Sequence, residues 1–347
     1  MNARLSFAVP TYRRPEQLAR CLRSLIAAAE PYRVAIHVAD DSTSTLNEPV
    51  LAEARRRYPL VHAHRNGRNL GIDGNILHSA DLPETEFVWL MGEDDRIVPH
   101  AVERVLAALN IGPPPAFLFV NYASLDERVR LVLRERALPL SADGEWPADR
   151  FLAEYGWAAG FIGGCVINKE RWNRTRPDAY LGTYFAHVGR IFESIAGASV
   201  RVAAEPLVWN RCGTAKLFTW TGQAFEVLEG WSRMIAALAP YYPAEIRQAA
   251  VIAFRRTHGL DSLKFLAYLR ADAAYDARAW REIIRPRGGS AAYRWGAWAL
   301  AHLPAGPLNF LRACFNRWRF RRCRRVADPG ETPKKTLENG LFLQPRE

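Results

Sequence analysis

The chain has 347 residues, 49% hydrophobic and 24% charged, the balance of a globular protein that can bury a full core. Its net charge of +11 is concentrated, because residues 283–327 hold ten Arg and no Asp, Glu or Lys. The rest is near neutral, which argues against a whole-protein nucleic-acid coat.

Leu5 to Val9 reads as a first strand. A polar turn, Thr11-Tyr12-Arg13-Arg14-Pro15, follows, with Pro at a helix start. Leu18, Leu22, Leu25 and Ile26 then recur at helical spacing. Val34, Ile36 and Val38 mark a second strand, ending at Asp40-Asp41-Ser42. Leu46, Val50, Leu51 and Ala54 predict a second helix, and Leu60 to His64 a third strand. The loop Asn66–Gly71 leads to a helix carrying Ile72, Ile76, Leu77 and Ala80. Phe87 to Met91 is a short apolar run that reads as a buried strand, and it ends in Glu93-Asp94-Asp95. A helix with Val102, Val105, Leu106 and Leu109 follows, then a strand from Ala116 to Val120.

This alternation predicts an α/β fold with an open, mostly parallel sheet and flanking helices. Ligands of such sheets bind beyond the carboxyl ends of the strands. Thr11–Arg13, Asp40–Asp41 and Glu93–Asp95 all fall there, so three polar clusters converge on one edge. Three carboxylates at the end of a buried strand need a positive partner. A divalent cation carrying a diphosphate suits them, because hard cations take oxygen ligands. The plainer alternatives are a solvated turn before the helix near Pro99 and an N-cap role for Asp40-Asp41.

From Trp146 to about Ala239 the pattern is irregular and aromatic. Gly163–Ile167 reads as a glycine-led strand and Val200–Val208 as a late edge strand. Residues 226–285 are helical in pattern, and Arg285–Ser290 is a linker. The final twenty residues are polar and are expected to be disordered. Leu308, Leu311, Phe315 and Trp318 recur at helical spacing, close to the clustered arginines and preceded by Trp295 and Trp298. Arg with interfacial aromatics suits an anionic membrane surface; a solvated face and a nucleic-acid patch are the alternatives.

No stretch reaches the about 18 apolar residues of a spanning helix. The N-terminus shows no signal-peptide pattern. The five cysteines show no Cys-x-x-Cys spacing and are read as reduced thiols. A cytoplasmic protein, peripheral on the inner membrane face, is the expectation.

Four ordered segments carry a resemblance. They are Leu5 to Arg14, Val38 to Ser42, Asn69-Leu70-Gly71 with Asn75, and Trp89 to Asp95. Together they resemble the family 2 glycosyltransferases of GT-A fold. The looser match through Phe161–Gly164, Tyr184–His187 and Trp209–Arg211 is similar to the abequosyltransferase-like branch of O-antigen and capsule sugar transferases. The resemblance implies a GT-A domain over 1–225, with a nucleotide-sugar half (1–125) and an acceptor half (126–225). A helical, basic extension would follow over 226–327, then a tail over 328–347. It implies that Pro10, Thr11, Tyr12, Arg13, Asp40, Asp41, Asn69, Gly71, Asn75, Glu93, Asp94 and Arg211 surround a nucleotide-diphosphate sugar. Asp95 and Glu93 would hold Mn²⁺ or Mg²⁺. Asp94 also joins the catalytic set.

Two departures stand out. Thr43-Ser44-Thr45 follows Asp41-Ser42 where many members have an Asp-Gly-Thr-like turn. The downstream Glu-Asp pair that supplies a base is absent, and His187 is assigned that role because imidazole accepts protons near neutral pH. The acceptor would be a glycan, lipid-linked, and no nucleic-acid partner is expected. The rival readings are a polyprenyl-phosphate sugar synthase, a non-catalytic sugar-nucleotide binder and a nucleic-acid-binding protein.

Overall fold

The computed structural model describes residues 4–212, 223–259, 261–321 and 323–326. The expected tail, 328–347, lies outside the described residues. The first elements are β1 (Leu5–Thr11), α1 (Pro15–Ala29), β2 (Ala35–Asp40), α2 (Glu48–Arg57), β3 (Val61–Arg65), α3 (Gly71–Asp81) and β4 (Phe87–Leu90). After the acidic turn come β5 (Arg96–Ile97), α4 (Ala101–Leu109), β6 (Phe117–Leu125), β7 (Val132–Arg134), β8 (Gly144–Pro147) and α5 (Ala148–Tyr155). Then follow β9 (Cys165–Asn168), α6 (Lys169–Trp172), α7 (Ala186–Ser194) and β10 (Ser199–Arg211). Helices α8 (Ala224–Ala237), α9 (Ala244–His258), α10 (Leu263–Ala271), α11 (Ala277–Ala279), α12 (Ala291–His302) and α13 (Ala305–Phe320) complete the described chain.

The strands form one sheet in the order β3-β2-β1-β4-β9-β6-β10-β5, with β7 on β6 and β8 on β10. The strands β1, β2, β3, β4, β6 and β10 run in one direction. Their apolar runs are buried on both faces, as parallel strands between helix layers require. Trp89 is fully buried, stacks on Phe7 at 4.9 Å between centroids and donates its indole N–H to Gly163 O at 2.8 Å. One side chain thus joins β1, β4 and the approach to β9.

Three readings of the sequence need correction. The strand read at Val200–Val208 is not an edge: β10 pairs with β6 on one side and with β5 and β8 on the other. Leu46 precedes α2 and is exposed. Ile72 is also exposed, and the buried face of α3 includes the polar Asp73 and Asn75. Apolar periodicity could not show that this helix turns polar atoms inward.

Those polar atoms make α3 a strut between the halves. The Asp73 carboxylate accepts the backbone N–H groups of Thr183 (2.9 Å), Tyr184 (3.0 Å) and Ala186 (3.2 Å), at the start of α7. These donors have no partner inside a helix, so the carboxylate caps α7 from outside. At the other end, Lys169 Nζ donates to the carbonyls of Ala80 and Asp81, both at 2.8 Å. Asp81 accepts from Trp172 Nε1 at 2.7 Å and pairs with Arg190 at 3.1 Å.

Helices α8 and α9 contribute Trp231, Met234 and Phe254 to the main core. A smaller cluster joins α10 and α12 through Leu266, Leu269, Tyr275, Ala297 and Ala301. The chain then returns to the sheet: Val132 N donates to Arg324 O at 2.8 Å and Val326 N to Arg130 O at 2.9 Å. Removing the outside cap should be costly. Asp73→Ala strands three buried donors and should lower unfolding free energy by about 2–4 kcal/mol. Urea denaturation showing a loss below 0.5 kcal/mol (about the scatter of neutral surface changes) would contradict the strut.

Candidate active site

The site lies beyond the carboxyl ends of β1, β2 and β4. Side-chain amides bind these ends together. Asn75 Nδ2 donates to Thr11 O and Ala39 O, both at 3.2 Å, and its Oδ1 accepts from Asn66 Nδ2 at 2.9 Å. Asn47 Nδ2 donates to Asp40 Oδ1 at 3.0 Å, and Ser42 N reaches the same oxygen at 3.0 Å. The other oxygen, Asp40 Oδ2, is buried without a protein partner. Asp41 is fully engaged: Oδ1 accepts from Asn66 Nδ2 and Leu70 N, each at 2.8 Å, and Oδ2 from Gly71 N at 3.1 Å. Asn69 Oδ1 also accepts from Gly71 N, at 2.8 Å. The two adjacent aspartates therefore divide: Asp41 fixes the loop before α3, and Asp40 keeps one oxygen unspent.

Pro10 is half-buried within β1, and Thr11 is buried at its end. Tyr12 and Arg13 are exposed there, with the Arg13 guanidinium 6.0 Å from the Tyr12 ring. Arg13 takes a left-handed backbone, φ 55°, and its N–H donates to Ser42 Oγ at 2.8 Å.

The acidic turn folds back onto β1. Glu93 Oε2 accepts from Thr11 Oγ1 and from Tyr12 N, the latter at 2.9 Å. Arg14 Nε lies 3.5 Å from Glu93 Oε1, and Arg14 Nη1 lies 3.4 Å from Asp94 Oδ2. Arg211, at the end of β10, reaches the same Asp94 oxygen through Nη2 at 3.0 Å. Its backbone N donates to Asp95 Oδ1, also at 3.0 Å, while its Nε is buried without a partner. Short β5 makes this meeting possible, because pairing Arg96 with Trp209 brings Asp95 beside Arg211.

Burial governs the protonation of this turn. It pushes Glu93 up to about 7, against the hydrogen bond from Thr11 and the charge of Arg14. Asp95 is held well above the usual carboxylate range by burial and by the charge of Asp94. Cys21 donates to Gly92 O at 3.4 Å, and burial with the three acids keeps its thiol neutral. Gly92 is required by space: a Cβ there would lie 2.3 Å from Asp95 Oδ2.

The structure brings together Thr11, Tyr12, Glu93, Asp94, Asp95 and Arg211. It does not open His187 to them. That side chain is 1% exposed, its Nε2 donates to Ala159 O at 3.1 Å and its Nδ1 is sealed in the core. Burial lowers its pKa to about 4. Neither nitrogen can meet an acceptor hydroxyl here, which corrects the assignment of His187 as base. Arg14, Asn47, Asn66 and Gly92 were missed as site residues. Arg14 had a signal, since a second Arg beside a strand end is a spare cation for an acidic cluster.

Among the described residues no three His, Cys, Asp or Glu are gathered as a metal cage. A diphosphate-borne Mg²⁺ needs less, because one or two carboxylates plus phosphate oxygens suffice. Glu93 and Asp95 could supply those carboxylate oxygens once a cation offsets the burial and the neighbouring charge that oppose their ionisation.

Residues 6–176 match the family described as Glycosyl transferase family 2. Over those residues the chain carries a family 2 glycosyltransferase domain. It is 25% identical over 259 residues to the abequosyltransferase RfbV of Salmonella typhimurium, covering 70% of this chain and 76% of that one. Residues 1–349 of TarS from S. aureus, crystallised with UDP-GlcNAc, match with TM-score 0.55 at 14% identity, over 85% of this chain and 89% of that one. The same TarS segment without that ligand gives a TM-score of 0.54 at 13% identity, with the same coverage. The fold is the GT-A glycosyltransferase fold.

Glu93 supplies a pH test. The folded chain holds its proton to about pH 7, whereas an unperturbed Glu ionises near 4.5. Stability from this group is therefore full below about 4.5 and lost as pH rises through 7. Glu93→Gln should remove about 2–3 kcal/mol of that loss. Urea unfolding at pH 5 and pH 8 measures it; identical pH slopes for variant and wild type would contradict the assignment.

Proposed function

We propose that this glycosyltransferase moves one sugar from a nucleotide-diphosphate donor to a hydroxyl of a growing surface glycan, lipid-linked and of O-antigen or capsule type. The observation that supports this most is the acidic turn tied to Arg14 and Arg211 at the ends of the parallel strands. The nucleoside would rest against Tyr12 and the free oxygen of Asp40. The diphosphate would lie over the acidic turn, with Arg211 and Arg14 opposite its charge. Asp94 would act by holding those two arginines. Asp95, with Glu93, would hold Mn²⁺ or Mg²⁺, which supplies positive charge at the leaving group when bound.

In the reaction the acceptor oxygen bonds to the anomeric carbon and its proton passes to water or to an oxygen of the departing diphosphate. The bond from that carbon to the phosphate oxygen breaks, and the electron pair leaves with the nucleoside diphosphate. Fixed cations oriented before the reaction stabilise that departing charge. The acceptor's place is supported by a cavity of about 350 Å³ beside Asn210, the neighbour of Arg211. Trp157, Phe161, Phe185 and Phe254 line it. The 25% identity to an abequosyltransferase also favours a surface-glycan acceptor.

The donor test is nucleotide release. Wild-type protein incubated with UDP-, GDP-, CDP- and dTDP-sugars, with Mn²⁺, Mg²⁺ or EDTA, should release nucleotide from one donor class only when metal is present. Asp95→Asn should lower that release at least about 100-fold, the size of a lost electrostatic contact. Gly92→Ala should act similarly, because the added methyl would displace the Asp95 carboxylate. Equal release by Asp95→Asn and wild type would overturn the assignment.

Membrane attachment is the second element of the proposal. No helix among the described residues is long and apolar enough to cross a membrane. Instead Trp295, Phe310, Leu311, Phe315 and Trp318 stand exposed on α12 and α13, at 69%, 70%, 61%, 41% and 52%. Leu308 is half-buried, so the outward stripe is narrower than the periodicity suggested. Arg317 and Arg321 are exposed near its end. Such a face suits anionic headgroups. Replacing Phe310, Leu311 and Trp318 with Ser should abolish co-sedimentation with phosphatidylglycerol vesicles; undiminished sedimentation would refute the attachment.

A further inference from the structure

A second cavity, of about 200 Å³, lies away from the strand-end site, between the end of α9 and the turn that enters α12. Arg255, Asp261, Arg287, Tyr293 and the pair Gly288-Gly289 line it. Its charges do not balance. Arg255 directs Nε and Nη2 onto Asp261, with Nε 3.0 Å from Oδ2, and its Nη1 remains. Asp261 is therefore already neutralised. Arg287 has no carboxylate partner among the described residues, and its named neighbour is the Phe225 ring at 5.9 Å. Burial, then the charge of Arg255, weaken its hold on its proton. The Tyr293 hydroxyl is pushed above its ordinary range by burial and by Asp261, so it remains a donor at neutral pH. The cavity lining thus presents two guanidiniums, one carboxylate and a hydroxyl, a net charge of one positive, while the charge of Glu229 acts on Arg287 from outside the lining.

We propose that this cavity binds a phosphate group, as a monoester or diester. Arg presents paired N–H donors that match phosphate oxygens. The volume is below the roughly 300–1,000 Å³ of sites for drug-sized ligands, so the cavity takes the phosphate and its nearest atoms, not a nucleotide sugar. Gly289 helps keep it open: its φ is +113°, and a Cβ there would lie 3.0 Å from Tyr293 Cδ1. Phosphate chemistry at this place could come from a lipid headgroup or from a soluble phosphate ester.

The test uses the full chain and needs no sugar transfer. Inorganic phosphate and glycerol 3-phosphate are titrated by calorimetry. Flotation with phosphatidylglycerol and phosphatidylcholine vesicles runs in parallel. Arg287→Ala should weaken phosphate binding at least tenfold, and Tyr293→Phe, which removes only the hydroxyl, about threefold. If Arg287→Ala also loses preference for phosphatidylglycerol, the headgroup is the source. If vesicle binding is unchanged while phosphate binding falls, the source is soluble. Wild type that binds none of these probes, or variants that bind all of them as wild type does, would overturn the proposal. A far-ultraviolet spectrum matching wild type guards against misfolding, and Arg287 is exposed enough to expect one.

Discussion

Three adjacent carboxylates at the end of a buried strand are the constraint on which this site depends. Burial at the sheet edge raises the cost of ionising Glu93 and Asp95, and the charge of Asp94 adds to it for both. The chain answers with Arg14 from the turn after β1 and Arg211 from the end of β10, both on Asp94. Those cations come from positions almost two hundred residues apart, so the acidic turn forms only when both ends of the sheet are in register. A site that needs an anionic diphosphate beside anionic side chains needs such cations first.

The same logic explains the amides around the turn. Asn47 and Asn75 each donate to groups at the ends of β1 and β2, and Asn66 joins Asp41 to Asn75 on α3. Buried polar groups are tolerable when every partner is present. Three oxygens of this network, Asp40 Oδ2, Asn47 Oδ1 and Asn66 Oδ1, are buried without a protein partner, and of these Asp40 Oδ2 alone belongs to a carboxylate. Helix α3 extends the arrangement to the second half of the domain. Its Asp73 caps α7, and its own end is capped by Lys169. The two halves of the domain therefore share a strut and cannot shift independently without stranding backbone donors.

The strand–helix alternation of the first 125 residues was legible because apolar runs and their polar ends follow local periodicity. The convergence of Thr11, Asp40 and Glu93 was legible for the same reason, since strand ends of a parallel sheet share an edge. What was not legible depended on distant pairing. Nothing local shows that β5 is two residues long and lies against β10, so neither the contact of Arg211 N with Asp95 nor the interior place of β10 could be read. Asp73 sits among polar residues of an amphipathic helix, and only the fold reveals that it caps α7. His187 illustrates the opposite error: a residue chosen by its chemistry is useless as a base when both nitrogens are sealed.

The most direct measurement is a crystal structure of the chain with a nucleoside diphosphate and Mn²⁺ soaked in. The account predicts phosphate oxygens beside the Glu93–Asp95 turn, with Arg211 or Arg14 within hydrogen-bond distance and the nucleoside against Tyr12 and Asp40. A nucleotide seated elsewhere, with the Asp94–Arg211 pair and Asp40 Oδ2 untouched, would contradict it.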